Sequence, residues 1–291
     1  MQIGGLWRYP VKSMQGERCA RLDVAQGGVV GDRAYAVIDR SDGKVASAKN
    51  PRKWRSLLAC HAAFTSDPVD GEAPPPVRIT LPDGRTVMSD DADVDAALSL
   101  VLGRDVSLAT SAPQGATLEE TWPAVDGMAP EEFIESTRVR MDEGESVSDI
   151  AIGLAAPPGS FFDLAPLHLL TTSSLEALTR LQPGSEFVAA RFRPNVLIDD
   201  AGEGFVENGW VGATLALGSS AQASVMMPTM RCVMTTLAQL ELPDDRAVLK
   251  AASVHNRVEI AGLGLWACVG AYAGVAAAGV VAVGDRVVMA G

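Results

Sequence analysis

The stretch IAGLGLWACVGAYAGVAAAGVVAVG, residues 260–284, carries no charged side chain. By length alone it matches a membrane-spanning helix, which needs about 20 apolar residues. Its composition argues against that. Six glycines interrupt it (Gly262, Gly264, Gly270, Gly274, Gly279 and Gly284), and Ala and Val fill most of the rest in place of Leu and Phe. Glycine inside a helix costs about 1 kcal/mol relative to alanine, whereas short apolar runs set off by glycines suit buried strands. Residues 272–275 and 280–283 are therefore expected as strands, joined by Ala277-Ala278-Gly279 and closed by a Gly284-Asp285 turn. The stretch is expected to be soluble core, with no membrane contact.

Strand and turn signals recur upstream. Residues 34–39 lead through Ser41-Asp42-Gly43-Lys44 into 45–48, and residues 78–81 lead through Pro82-Asp83-Gly84 into 85–88. Asp-Gly between such runs predicts a hairpin in each case. A helix is expected next, capped near Ser89 or Asp90, with Val94, Leu98 and Val101 on one face and a stop at Gly103. Residues 113–148 lose the pattern and gain charge, Ser and Thr, which suits a connection or flap. Thr171-Thr172-Ser173-Ser174 then enters a short helix aligning Leu175, Leu178 and Leu181, where Ser173 and Glu176 have capping-box spacing. Further strands are expected at 195–198, 214–217 and 223–226, and a helix at 244–252. The fold class is mainly β with a few helices (α+β), in two domains of which the second is most simply a barrel.

The 291 residues suffice for one or two domains with a real core. A formal net charge of -12 and a pI near 4.7 argue against a nucleic-acid partner. The same balance means that an anionic ligand must be held by a few locally placed cations. Cys19, Cys60, Cys232 and Cys268 are widely separated and form no C-x-x-C pair, so neither a disulfide framework, a zinc site nor an iron–sulfur cluster is expected. The first residues lack the charged-then-apolar layout of a signal peptide, and a reduced, cytoplasmic setting is expected. His61, His168 and His255 have no metal-ligand spacing, and His168, inside an apolar run, reads as a hydrogen-bonded core residue. Cys19, Cys60 and Cys268 read as structural. Cys232 differs: in Met230-Arg231-Cys232-Val233-Met234-Thr235-Thr236 it stands beside a cation, which favours the thiolate, the soft donor that binds thiophilic metals.

Six segments, taken in order, resemble one family. They are Tyr9-Pro10-Val11-Lys12-Ser13, Gly31-Asp32-Arg33-Ala34-Tyr35, the run from Asp163 to Thr171, Arg191-Phe192-Arg193-Pro194-Asn195-Val196, Arg231-Cys232-Val233-Met234-Thr235-Thr236, and Gly270-Ala271-Tyr272-Ala273 with Val283-Gly284-Asp285. This series is similar to the MOSC proteins, named for the C-terminal domain of the molybdenum-cofactor sulfurase. The resemblance implies a MOSC N-terminal β-barrel domain over residues 1–115, a linker or flap over 116–147 and a MOSC β-barrel over 148–291. It implies a molybdenum–pterin (molybdopterin) cofactor between the barrels. Lys12, Ser13 and Arg33 would meet its phosphate and pterin ends. Thr171, Thr172 and Ser173 would receive an anion at a helix entrance, Arg193 and Asn195 would face the pterin edge, and Arg231 would flank the thiolate. Cys232 would be the catalytic residue and the metal's protein ligand.

Ordinary readings stand beside these. Lys12 fits a solvated turn lysine, Arg33 a pair with Asp32 or Asp39, residues 171–174 a cap alone, and Arg193-Pro194-Asn195 a turn before a strand. The amidoxime-reducing components are the functional relatives the resemblance implies. The expected activity is therefore reduction of a small N-hydroxylated compound by oxygen-atom transfer to molybdenum. Electrons would come from a separate flavin, haem or iron–sulfur donor, and a monomer is expected. The alternatives are a persulfide sulfur carrier on Cys232, a cofactor carrier without turnover, and an inert scaffold. The family association with pyridoxal phosphate rests on the sulfurase, whose pyridoxal-phosphate domain is not expected here. The segment Leu237-Ala238-Gln239-Leu240-Glu241-Leu242-Pro243 departs from the family pattern after the cysteine, which bears on substrate class.

Overall fold

The computed structural model describes residues 1–290. Strand dominates, as expected. The uncharged stretch folds as the long strand Gly264–Ala277 followed by Gly279–Ala282. No described helix is long and apolar enough to cross a membrane. The long strand is buried along its middle because it is the hub of a nine-stranded sheet. It pairs antiparallel with Ala221–Met230 on one side and Leu167–Thr171 on the other, and with Arg257–Ile260 at its start.

The sheet then draws on the start of the chain. Leu167–Thr171 lies parallel to Val196–Asp199, the crossover being made through the helix Thr172–Leu181, and Val196–Asp199 pairs antiparallel with Gln2–Arg8. On the far edge, Thr214–Leu217 pairs with Val287–Ala290. The ring closes there: Ile3 donates to Asp285 O at 2.8 Å, Gly284 to Ile3 O at 2.7 Å and Val287 to Met1 O at 3.0 Å. Closure removes the exposed edges that an open sheet would leave. Ile3, Leu6, Leu169, Val196, Ile198, Leu215, Val225 and Ala271 fill the interior. Gly279–Ala282 does not fold back on the long strand; it pairs with Arg21–Ala25, again from the start of the chain.

A second core gathers around Val11, Met14, Val37, Trp54, Leu57, Ile79 and Leu98. Here Val77–Thr80 and Thr86–Met88 form the expected hairpin, joined to His61–Phe64. The helix Val94–Leu102 ends on Gly103, whose φ of 67° is the left-handed cap that glycine adopts without strain. Its N-cap is Asp93, later than the expected Ser89 or Asp90. The other expected hairpin also forms, narrowly: Asp39 N donates to Lys44 O at 2.9 Å and Ala46 N to Val37 O at 2.8 Å, around a bridge between Ile38 and Val45. On its other edge Ala36–Asp39 pairs with the distant Val106–Ala109, and all four of its residues are buried.

Residues 113–148, expected as a connection, hold the strand Thr117–Trp122, the helix Glu131–Thr137 and the strand Arg138–Asp142, followed by Glu145–Ala151. The three strands form a sheet of their own. What fastens this sheet is Glu119, whose side chain is nearly buried. It accepts from Asn50 Nδ2 at 2.8 Å and from Arg140 at 2.5 and 3.0 Å, and pairs with Lys53 at 2.8 Å. Burial disfavours its charge, yet this set of donors holds Glu119 well below the usual carboxylate range.

Candidate functional site

Among the described residues six other than glycine have positive φ, and three of these, Ser13 (64°), Arg33 (49°) and Arg193 (55°), line one cleft. Such backbone is sparsely populated for side-chain-bearing residues and persists only where the surroundings impose it. The surroundings are visible in each case. Ser13 Oγ accepts from the amide of Ala48 at 3.2 Å. Arg33 donates its amide to Tyr9 O at 2.7 Å, and Arg193, capping the short helix Ala189–Phe192, donates to Ala189 O at 2.8 Å.

The cleft is a narrow cavity of about 80 Å³, and its walls come from the whole length of the chain. Lys12, Ser13, Arg33 and Lys49 belong to the first fifty residues; Asp163, His168, Arg193 and Asn195 to the middle; Arg231, Cys232 and Tyr272 to the last third. Six cationic side chains line it, counting Arg191, against the single carboxylate of Asp163. In a protein of net charge -12 this is the local concentration of cations that an anionic ligand requires.

The cations are not equivalent. Lys12 is engaged: Nζ donates to Phe161 O at 2.8 Å and pairs with Asp163. Lys49 bridges Glu120 at 3.1 Å and Asp163 at 3.5 Å. Although burial opposes ionisation of Asp163, Lys12 and Lys49 together hold it well below the usual carboxylate range. Arg191 is fully buried and spends its donors on the carbonyls of Glu186, Thr235, Leu237 and Pro243. It clamps the loop that follows Cys232. Arg193 and Arg231 each keep a buried donor in reserve: Nη1 of Arg193 and Nε of Arg231 have no hydrogen-bond partner among the described residues. Burial, reinforced by Arg33, lowers the Arg193 guanidinium to about 10.

Cys232 lies at the entrance to the 3-10 turn Val233–Thr236, partly exposed. Here the sequence expectation needs correcting. Burial raises the thiol above its ordinary value and outweighs both Lys49 and Arg231, so the neighbouring cation does not by itself make a thiolate. A metal would have to displace the proton. His168 is buried and hydrogen-bonded, as its sequence suggests, and it also lines the cleft, with Nδ1 3.4 Å from Arg193 O and Nε2 without a partner among the described residues. Burial and then Arg231 push its imidazole well below the ordinary histidine value, so it is neutral at pH 7.

Thr171, Thr172 and Ser173 do not line the cleft. Thr171 Oγ1 caps the helix by accepting from Ser174 N at 3.1 Å, so the cap stands two residues before the expected Ser173. Thr171 also donates to Glu207 Oε2 at 2.8 Å, and Ser173 donates to Gly204 O at 2.9 Å. Glu207 is wholly buried and also accepts from Ser174 Oγ at 2.6 Å and Gly270 N at 3.1 Å. Those hydroxyls are engaged by protein groups. Lys49, Asp163, His168 and Tyr272 line the cleft as well, although the sequence alone assigns them no role there. The segments quoted above contained three of them, but only the topology turns them toward Cys232.

A family model of the MOSC domain matches residues 158–288, and one of the MOSC N-terminal beta barrel domain matches residues 1–69. The chain is a MOSC protein. Both matched MOSC segments supply walls of the cleft, and MOSC domains are associated with the molybdopterin cofactor. Among solved structures, the YuaD protein from Bacillus subtilis aligns over 98% of this MOSC chain and 93% of its own, at 12% identity and a TM-score of 0.44. YiiM from Geobacillus stearothermophilus aligns over 44% and 55% respectively, at 20% identity and a TM-score of 0.31. No curated protein matches the sequence.

The residues present fit such a cofactor. The two unpartnered guanidinium nitrogens suit an anionic group, the Asn195 side chain lies in the same wall, and the cleft's single cysteine is the soft donor a thiophilic metal takes.

Proposed function

We propose that the cleft binds a molybdenum–pterin cofactor and that the protein is an oxidoreductase acting on N-hydroxylated compounds. The observation that carries the reading is the pairing of Cys232 with the unpartnered Arg193 and Arg231 nitrogens in one cationic cleft. In this reading Arg193 and Arg231 hold the anionic end of the cofactor, Ser13, Arg33 and Asn195 orient it, and Cys232 ligates the metal. A molybdenum centre with one protein thiolate and exchangeable oxygens supplies two-electron oxygen-atom transfer. The chain's own part is to bind, to orient and to exclude water. Arg191 fixes the loop behind Cys232, and neutral His168 adds no further charge to the wall. Electrons come from a separate flavin, haem or iron–sulfur protein.

The test is metal and pterin analysis of wild type and Cys232→Ala made in a host that synthesises the cofactor. It is combined with reduction of benzamidoxime by dithionite-reduced viologen dye. Near-stoichiometric molybdenum and pterin in wild type, with activity lost in the variant, is the expected result. Wild type without either overturns the reading. Persulfide on Cys232 in that pterin-free protein then assigns it to sulfur transfer.

A further inference from the structure

We infer that Tyr9 is a positioning residue for the anion-binding arginines, its ring being the platform that holds Arg33 and Arg193 in register across the cleft. The inference rests on the cleft being an anion site, as proposed above, but not on the identity of the anion.

The guanidinium carbon of Arg193 lies 4.2 Å from the centroid of the Tyr9 ring, and that of Arg33 lies 4.6 Å from it. Both distances fall inside the range in which the negative face of an aromatic ring attracts a cation. Tyr9 itself is buried, and its backbone is fastened twice: its amide donates to Asp32 Oδ1 at 2.7 Å, and its carbonyl accepts from the amide of Arg33 at 2.7 Å. The platform therefore cannot drift relative to Arg33.

Arg193 needs such a platform more than Arg33 does. Arg33 pairs with Asp32, whereas among the described residues no carboxylate is in hydrogen-bond or salt-bridge contact with Arg193. A buried guanidinium without a counter-ion is costly unless something offsets its desolvation. Two like charges on one ring also repel, and this is reflected in the lowered Arg193 value, to which Arg33 contributes after burial. The Tyr9 ring is the group in contact that favours both charges at once. An incoming anion completes what the ring begins, since Nη1 of Arg193 is still unpartnered. The ring also joins chain regions far apart in sequence, so the distance between the two cations is set before any ligand arrives. Preorganisation of that kind lowers the ordering cost of binding.

The probe is inorganic pyrophosphate, titrated calorimetrically into protein made in a host unable to synthesise the pterin. Tyr9→Leu removes the π face, Tyr9→Phe keeps it, and Arg193→Lys keeps the charge but loses the planar group that stacks. Expected are about tenfold weaker binding in Tyr9→Leu and Arg193→Lys, and binding within about twofold of wild type in Tyr9→Phe. Unchanged affinity in a folded Tyr9→Leu overturns the inference, as does a Tyr9→Phe loss equal to that of Tyr9→Leu. If Tyr9→Leu does not fold, Arg193→Lys decides: wild-type affinity there overturns the inference. No measurable pyrophosphate binding by wild type also overturns it. Failure of the cofactor reading shows separately, as absent molybdenum and pterin in protein from a competent host.

Discussion

Asn195 donates from Nδ2 to Oδ2 of Asp32 at 2.9 Å, a bond between the turn before Arg33 and the residue that opens the strand Val196–Asp199. The Asp32 side chain is wholly buried, and its other oxygen takes the amide of Tyr9. One carboxylate thus ties the two sides of the cleft together. Removing one partner of a buried charged pair leaves the other uncompensated. Asp32→Ala is expected to cost about 3 kcal/mol in urea unfolding, and a double-mutant cycle with Asn195→Ala should give a coupling of about 1–2 kcal/mol. Additive single effects would show that the bond contributes nothing beyond its parts.

Thr171 and Ser173 should matter for stability and not for the ligand. Thr171→Val deprives both the helix cap and Glu207 of a hydroxyl, which is expected to cost about 1–2 kcal/mol. Pterin content measured on the same preparation should stay at the wild-type level. A stable Thr171→Val that has lost its pterin would return this residue to the binding site.

Glu119 should set part of the acid limb of stability. Its native pKa is depressed by Arg140, Lys53 and Asn50 against the effect of burial. The stability it adds is therefore complete above its unfolded value near about pH 4.3 and disappears as pH falls through the native value. Urea midpoints measured from pH 7 to pH 3 should fall steeply in wild type. In Glu119→Gln they should start lower and fall less. Parallel curves would remove Glu119 from the account.

Gly270→Ala is expected to be among the most damaging small substitutions. A Cβ there would sit 2.4 Å from His168 Nε2 and 2.7 Å from Leu169 O, on backbone with φ of 84°. Both the contact and the conformation oppose it, so a loss of about 3 kcal/mol or more is expected. Thermal unfolding that matches wild type would mean that His168 can move aside freely.

What the sequence made legible was local. Glycine spacing separated strand from spanning helix in residues 260–284, and Gly103 marked a helix end, because both depend on backbone conformation within a few residues. Pairing was less legible. Nothing near Ala36–Asp39 says that its partner is Val106–Ala109, since burial of a strand is decided by what the chain brings alongside. The site divides the same way. Lys12, Ser13, Arg33, Arg193, Asn195, Arg231 and Cys232 stood out by residue type within short motifs, and all line the cleft. Lys49 lies in an undistinguished Ala48-Lys49-Asn50 step, and its bridge to Glu120 and Asp163 depends on the sheet that replaced the expected connection. For Arg33 the ordinary reading holds, since it pairs with Asp32, and the side chain also lines the cleft.

The closed ring has a consequence for biosynthesis. Arg21–Ala25 waits for Gly279–Ala282, and the amide of Ile3 waits for the carbonyl of Asp285. A nascent chain still short of these residues can form only the local pairs of Gln2–Arg8 with Glu17–Cys19 and of Arg21–Ala25 with Gly28–Val29, which leaves the other edges open. Long-range pairing of this kind is slow and leaves edges open to aggregation while it lasts. Pairing of Gln2–Arg8 with Val196–Asp199 can bring Lys12 and Arg33 to Arg193 earlier, but the ring shuts only once residues 279–285 have been made. Loading of any resident ligand becomes a step that follows ring closure, and chaperone dependence should be greatest just before it.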